Sequence, residues 1–173
     1  MMCPGYSRDV LGRINTVILT DNGQTAAIIT NMAYTADDLL ASQTYGNGLL
    51  ETRNYNAQRR LTTWQLGGVF NRTYSYDPAG NLVSRSLHSG NQTFGYDAVD
   101  RLLTDLGSGS NCTFTYDANG NRLTADVNGS QVQYSYDLNT NRMNSLGGAS
   151  VLLDAAGNML SQRGLAMTYN QAR

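Results

Sequence analysis

The sequence contains no lysine: all 12 basic residues are arginine, and Glu51 is the only glutamate. Long-chain polar helix formers of these kinds fill exposed helix faces, so their scarcity argues against a helical protein. Acidic and basic residues nearly balance at a formal net charge of -1, and no basic patch of the kind that nucleic acid or an anionic membrane demands stands out. Hydrophobic runs are short. None approaches the roughly 18 apolar residues of a membrane-spanning helix, and the opening stretch, MMCPGYSRDVLGR, has no apolar core of an export signal, which would have to lie elsewhere. Cysteine is limited to Cys3 and Cys112, which form neither a disulfide framework nor a metal-ligand spacing and read as idle or buried thiols. The single histidine, His88, lies between Leu87 and Ser89 in a connection and reads as a solvated loop residue rather than a catalytic base.

Glycine is plentiful, with 18 residues, and asparagine, serine and threonine are abundant beside it. These are residues of turns and of strands that face water. Their arrangement is periodic. The strings Tyr76-Asp77-Pro78-Ala79-Gly80-Asn81-Leu82, Tyr96-Asp97-Ala98-Val99-Asp100-Arg101-Leu102, Tyr116-Asp117-Ala118-Asn119-Gly120-Asn121-Arg122 and Tyr136-Asp137-Leu138-Asn139-Thr140-Asn141-Arg142 begin 20 residues apart. Tyr55-Asn56 and Tyr34-Thr35 continue the series upstream at steps of 21, and Leu153-Asp154-Ala155-Ala156-Gly157 and Tyr169-Asn170 continue it downstream at steps of 17 and 16. A fixed period of this length marks a repeat architecture, in which no single copy should be given a private role.

Each copy reads as a hairpin. Tyr74-Ser75-Tyr76, Phe94-Gly95-Tyr96, Phe114-Thr115-Tyr116 and Tyr134-Ser135-Tyr136 alternate at period two, the pattern of a strand with one buried face. Asp77-Pro78-Ala79-Gly80 then follows type I turn preferences, with glycine supplying the positive φ of a G1 bulge and the aspartate accepting backbone N–H groups as a cap. With Pro78, Ala79 and Gly80 as the loop, Tyr76 faces Leu82, Tyr55 faces Leu61 and Tyr96 faces Leu102; Arg122 and Arg142 are the expected partners of Tyr116 and Tyr136, lying along the rings. Gly80, Gly120 and Gly157 should have positive φ. Thr140 stands where glycine is needed, so that turn should put Asn139 or Asn141 in the left-handed region or lengthen by one residue. With two strands per period, the fold class is all-β: a repeat of β-hairpins in one long twisted, mainly antiparallel sheet of about 14 to 16 strands.

Chemistry is hard to place on such a pattern. Asp117, Asn119 and Asn121 match the start of a calcium loop, but Arg122 replaces the glycine at its sixth position and Asn128 its closing glutamate. The repeated aspartates Asp77, Asp97, Asp117, Asp137 and Asp154 share one environment by construction, without the differentiation that separates an acid from a base. Trp64, at period two with Leu66, reads as a strand residue, with an exposed carbohydrate-stacking platform as the other reading. The sequons at Asn71, Asn91, Asn111 and Asn128 are no more frequent than chance predicts in so Asn-, Ser- and Thr-rich a chain.

The Tyr-Asp-x-x-Gly-Asn/Arg-Leu unit, recurring from Tyr34 to Arg173 and in degenerate form at Arg8-Asp9-Val10-Leu11-Gly12-Arg13-Ile14, resembles the YD repeat of the Rhs family, which includes Rhs polymorphic toxins, C subunits of toxin complexes and teneurins. The resemblance implies a segment of a YD-repeat shell, with residues 1–33 a degenerate repeat region, 34–173 the repeat array and its last repeat truncated. It also implies a non-catalytic structural role in a larger secreted or cell-envelope bacterial protein, whose shell holds a C-terminal toxin. The implied partners are the rest of the parent chain and its effector domain. No cofactor, metal or catalytic residue is implied, and neither the family's core domain with its aspartate-dependent cleavage site nor an effector is recognisable in this sequence. The residues to which a structural role would fall are Tyr55, Tyr76, Asp77, Gly80, Tyr96, Asp97, Tyr116, Asp117, Gly120, Tyr136, Asp137, Asp154 and Gly157. A module that binds carbohydrate or a cell surface is the alternative.

Overall fold

The computed structural model describes residues 3–107, 109–162 and 165–168; Tyr169 and the residues after it, the expected incomplete last repeat, lie outside the described residues. Every regular element is a strand. In order they are β1 Cys3–Arg8, β2 Ile14–Asp21, β3 Gln24–Tyr34, β4 Leu40–Tyr45, β5 Leu50–Tyr55, β6 Leu61–Leu66, β7 Phe70–Tyr76, β8 Leu82–Leu87 and β9 Gly90–Tyr96. Then follow β10 Leu102–Gly107, β11 Ser110–Tyr116, β12 Arg122–Val127, β13 Ser130–Tyr136, β14 Met143–Leu146, β15 Ala149–Leu153, β16 Met159–Gln162 and β17 Leu165–Ala166. They belong to one 17-stranded sheet, antiparallel between chain neighbours wherever the register is defined. The count exceeds the expected 14 to 16 because residues 3–34 form three full strands and the short β17 adds another.

Two compact units divide the chain, residues 1–92 and 93–173. In each, two kinds of turn alternate. At the aspartate turns the register shifts at the preceding tyrosine: Ser75 pairs with Ser84 but Tyr76 with Leu82, and Thr115 pairs with Thr124 but Tyr116 with Arg122. That shift is the bulge that a positive-φ fourth residue produces. The connections between these hairpins are themselves tight turns, such as Asn22-Gly23 and Asn128-Gly129, with φ of 49° and 77° and of 53° and 84°. Positive φ at both central residues defines a type I′ turn, for which Asn-Gly is the strongest short-range sequence signal. A 20-residue period is thus two hairpins back to back, which is why its length is so constant.

Alternation is visible along the strands. In β7 and β11 half-buried and exposed residues follow one another strictly. Tyr74, Tyr76, Phe114 and Tyr116 take the more buried face, while the small residues between them pair on the other face: Ser84 donates to Ser75 at 3.0 Å, and the Thr115 and Thr124 hydroxyls meet at 2.6 Å. Gly95 breaks that pairing for a steric reason, since a Cβ there would come within 2.6 Å of Thr104 Oγ1.

A sheet without a second layer buries little. Among the described residues only Ala125 and Val151 are fully buried apolar side chains, against three buried polar ones, Gln43, Glu51 and Gln92. Hydrophobic burial at about 25 cal/mol per Å² cannot be the main organiser of such a fold. Hydrogen bonds of turns and side chains must carry more of the specificity.

Gly80, Gly120 and Gly157 have φ of 107°, 88° and 91°, as the turn reading expects. The equivalent position stays left-handed even without glycine, at Asp38, Arg59 and Asp100, with φ of 61°, 63° and 63°. The turn geometry therefore prevails over the residue. Gly120→Val should destabilise the chain by on the order of 1–3 kcal/mol in a urea titration. Ala118→Val, one position after the aspartate, where Val10 stands in the first copy, should stay within about 0.5 kcal/mol of the parent.

Candidate functional site

The repeated turn is built around its aspartate. Asp77 Oδ1 accepts the Gly80 and Asn81 N–H groups at 2.7 and 2.8 Å, while Oδ2 accepts the Asn81 side-chain amide at 3.0 Å. Asp117 and Asp154 use the same atoms toward Asn121 and Asn158. Where the fifth residue is arginine the bond becomes an ion pair, Asp97 with Arg101 at 2.6 Å and Asp9 with Arg13 at 2.8 Å. The degenerate first copy is thus chemically complete. The backbone closes each turn in parallel, from Asp77 N to Asn81 O at 3.0 Å and from Asp97 N to Arg101 O at 3.0 Å.

These bonds outweigh what desolvation costs the carboxylates. Desolvation by itself pushes the Asp9 and Asp77 carboxyls up, but the side-chain and backbone donors of Arg13 and Asn81 hold both below the ordinary value. Asp97 is held down first by the Arg101 backbone N–H, Asp117 and Asp154 by the side chains of Asn121 and Asn158, and Asp137 by the Thr140 side chain.

The tyrosines join one repeat to the previous one. Tyr34, Tyr55, Tyr76, Tyr116 and Tyr136 donate their hydroxyls to the carbonyls of Ile14, Leu40, Leu61, Leu102 and Arg122 at 2.7, 2.9, 2.9, 2.8 and 3.1 Å. Each accepting residue opens the returning strand after the preceding turn. Arginines of the preceding turn cover some of the same rings: Arg13 over Tyr34 at 4.7 Å, Arg60 over Tyr76 at 5.1 Å and Arg101 over Tyr116 at 4.9 Å. Two of them also reach the next aspartate's carbonyl, Arg60 to Asp77 at 3.2 Å and Arg101 to Asp117 at 2.8 Å. Sequence reasoning placed the tyrosines against cross-strand leucines and missed this link. Its signal was the joint recurrence of tyrosine and a fifth-position arginine.

Two expected arginine contacts are corrected. Arg122 does stand opposite Tyr116, but its guanidinium lies over Phe114, at 4.6 Å, and near Tyr134. Arg142 does not face Tyr136 at all; Met143 does. The cause is Thr140, which disfavours positive φ. The turn instead runs one residue longer, with Asn141 at φ 56° donating its N–H to the Asp137 carbonyl and Asp137 N bonded to Arg142 O.

One polar node was invisible in the pattern. Glu51, the only glutamate, is 1% exposed. Its Oε2 accepts the Gln43 amide at 3.0 Å and the Tyr45 hydroxyl, and its Oε1 accepts Arg53 Nε at 2.6 Å and Trp64 Nε1 at 2.9 Å. Burial pushes the Glu51 carboxyl up, but hydrogen bonds from Tyr45, Gln43 and Arg53, with the Arg53 charge, hold it below the usual value, while the bond to Glu51 and burial raise the Tyr45 phenol. Trp64 is half-buried, its N–H committed to Glu51 and its ring packed edge-on with Phe70 at 4.7 Å. His88 is exposed in a turn, and Cys3 and Cys112 are free thiols, the first exposed and the second half-buried. Among the described residues no group of three or more metal-ligating side chains forms, and no helix is long and apolar enough to cross a membrane.

The comparisons with known proteins agree with this geometry. Residues 76–110 match the family model described as RHS Repeat, while no curated protein matches. Among solved structures the chain is similar to one in "Crystal Structure of TcdB2-TccC3-Cdc42", with TM-score 0.70 and 18% identity over 91% of this chain and 11% of that one. It is similar also to one in "Crystal Structure of TcdB2-TccC3 without hypervariable C-terminal region", with TM-score 0.71 and 17% identity over 95% of this chain and 11% of that one. The class shown is a fold class: an all-β sheet assembled from repeated hairpins, within which residues 76–110 match the RHS Repeat model. In particular, nearly the whole chain has the fold found in these TcdB2-TccC3 chains, of whose length it spans 11%.

Tyr76→Phe, which removes the hydroxyl but keeps the ring, should lower stability by about 1 kcal/mol in a chemical denaturation series. Glu51→Gln removes the charge and one of the two acceptor oxygens, so that either Arg53 and Trp64 or Gln43 and Tyr45 lose their shared acceptor, and should cost about 2–3 kcal/mol. Because the folded values of Glu51 and the six turn aspartates are depressed, their stabilisation is complete above the unfolded values of about 3.9 to 4.3 and lost as pH falls through the folded ones. The melting temperature should stay flat from about pH 5 to about pH 8 and drop below about pH 4.

Proposed function

We propose that this chain is a non-catalytic structural segment of an Rhs-type β-shell, of the kind that encloses a C-terminal toxin in its parent protein. The observation that carries the reading is the link between copies: the tyrosine hydroxyl of one repeat is satisfied by the backbone of the repeat before it. A unit of this kind is completed by its neighbour, which is the logic of an array used as wall material. The aspartates fit the role, since all but one of the motif carboxylates have both oxygens taken by their own turns. The RHS repeat at 76–110 and the shared fold support it further, and the matched chains are long enough to hold many such segments. The partners on this reading are the remainder of a parent chain and an enclosed effector. Residues 1–33 would act as repeats in their own right, since the Asp9 turn has the full set of contacts.

Electron microscopy of the parent polypeptide should show a hollow closed particle with this segment in its wall; an open, extended chain would overturn the proposal. A glycan array is expected to be blank. Reproducible binding lost in Trp64→Ala would favour the carbohydrate-binding alternative, which the committed Trp64 ring and N–H do not support.

A further inference from the structure

In the second unit the pattern of internal contacts is broken in two ways at one place. The first break is at the ring of Tyr136. Arg13, Arg60 and Arg101 cover the tyrosines that follow them at 4.7 to 5.1 Å. The residue equivalent to them before Tyr136 is Asn121, which is too short to reach. Its amide donates to Asp117 Oδ2 at 2.8 Å and to Asn141 Oδ1 at 2.6 Å, and Asn119 joins the same oxygen at 3.3 Å. The adjacent arginines are committed elsewhere, Arg122 over Phe114 and Arg142 to the Asp154 and Ala155 carbonyls at 3.4 and 3.2 Å.

The second break is at Asp137. Its Oδ1 accepts Asn139 N, Thr140 N and Thr140 Oγ1 at 3.0, 2.8 and 2.8 Å. In Asp9, Asp77, Asp97, Asp117 and Asp154 the other oxygen is taken by the fifth residue of the turn. The longer Asp137 turn carries Arg142 away, so Asp137 Oδ2 takes no hydrogen bond among the described residues. Tyr136, whose ring no arginine covers, and Asp137, whose Oδ2 takes no hydrogen bond among the described residues, therefore line the same recess, about 310 Å³ in volume, together with Asp117, Leu123, Tyr134 and Asn141.

We propose that this recess binds the side chain of an arginine presented by another polypeptide, its guanidinium stacked on Tyr136 and paired with Asp137 Oδ2. The molecule itself holds arginine in this way. At the first turn Arg13 lies over Tyr34 while its Nε bonds Asp9 Oδ2 and its NH1 bonds Asp38 Oδ1, both at 2.8 Å. A planar, forked cation that stacks and pairs at once is the chemistry of arginine, whereas lysine offers a strongly hydrated point charge. Leu123 supplies apolar surface for the methylene stem.

The test uses the full chain with 13C-labelled tyrosine, titrated with acetyl-Gly-Arg-Gly-amide and followed by NMR. The ring signals of Tyr136 should shift saturably, and the lysine tripeptide should bind about tenfold more weakly or less. Asn121→Arg supplies the missing guanidinium from within: it should move the Tyr136 signals without peptide and abolish the response to peptide, while the remaining tyrosine signals report an intact sheet. Asp137→Asn should weaken binding. Equal binding of the lysine peptide, an undiminished response in Asn121→Arg, or a silent Tyr136 would overturn the proposal. Methylguanidinium binding as tightly as the peptide would overturn its polypeptide part.

Discussion

A tyrosine hydroxyl bonded to the carbonyl that begins the returning strand of the previous repeat is the contact on which the rest of this structure depends. Found at Tyr34, Tyr55, Tyr76, Tyr116 and Tyr136, it ties the turn that follows each of these tyrosines to the turn before it, at the strand ends where ordinary ladder bonds have just ended. Such a bond contributes about 0.5–1.5 kcal/mol. Its value lies in repetition, and in requiring that consecutive repeats be in register before any is complete.

The scarcity of buried apolar residues gives these polar links unusual weight. With only Ala125 and Val151 fully buried among the apolar side chains described, register cannot rest on a hydrophobic face alone. Aspartate caps set the turns, serine and threonine pairs hold the outer face, and arginines bridge turn to turn over the tyrosine rings. Glu51 extends the same logic into the sheet, gathering Gln43, Tyr45, Arg53 and Trp64 around one carboxylate. A buried carboxylate with good donors on both oxygens specifies one arrangement, because any slip leaves a charge uncompensated.

Repetition also makes exceptions informative. One β-branched residue, Thr140, lengthens a turn by one residue, moves Met143 opposite Tyr136 and carries Arg142 away from Asp137. One short residue, Asn121, leaves the next tyrosine ring uncovered. The strands on either side still pair, although β14 after the longer turn keeps only four residues where β8, β10 and β12 have six. Variation is thereby concentrated at the turn edge, where a recess can open without loss of the sheet.

Much was legible from the chain alone. The 20-residue period, the aromatic alternation before the aspartates and the glycines at positions 80, 120 and 157 determined the hairpins, their register at Tyr55, Tyr76 and Tyr116, and the left-handed glycines, because these are local consequences of chain geometry. Even the irregular turn at Thr140 was foreseeable from the steric cost of positive φ. What only the tertiary structure decided lies between repeats. Which ring Arg122 covers, which carbonyl each tyrosine meets, and how Glu51 collects donors from β4, β5 and β6 depend on side chains that are distant in sequence and adjacent across strands. A period in the sequence states that copies are equivalent, whereas contacts between copies depend on their packing, and there a single arginine or asparagine determines whether a ring is covered.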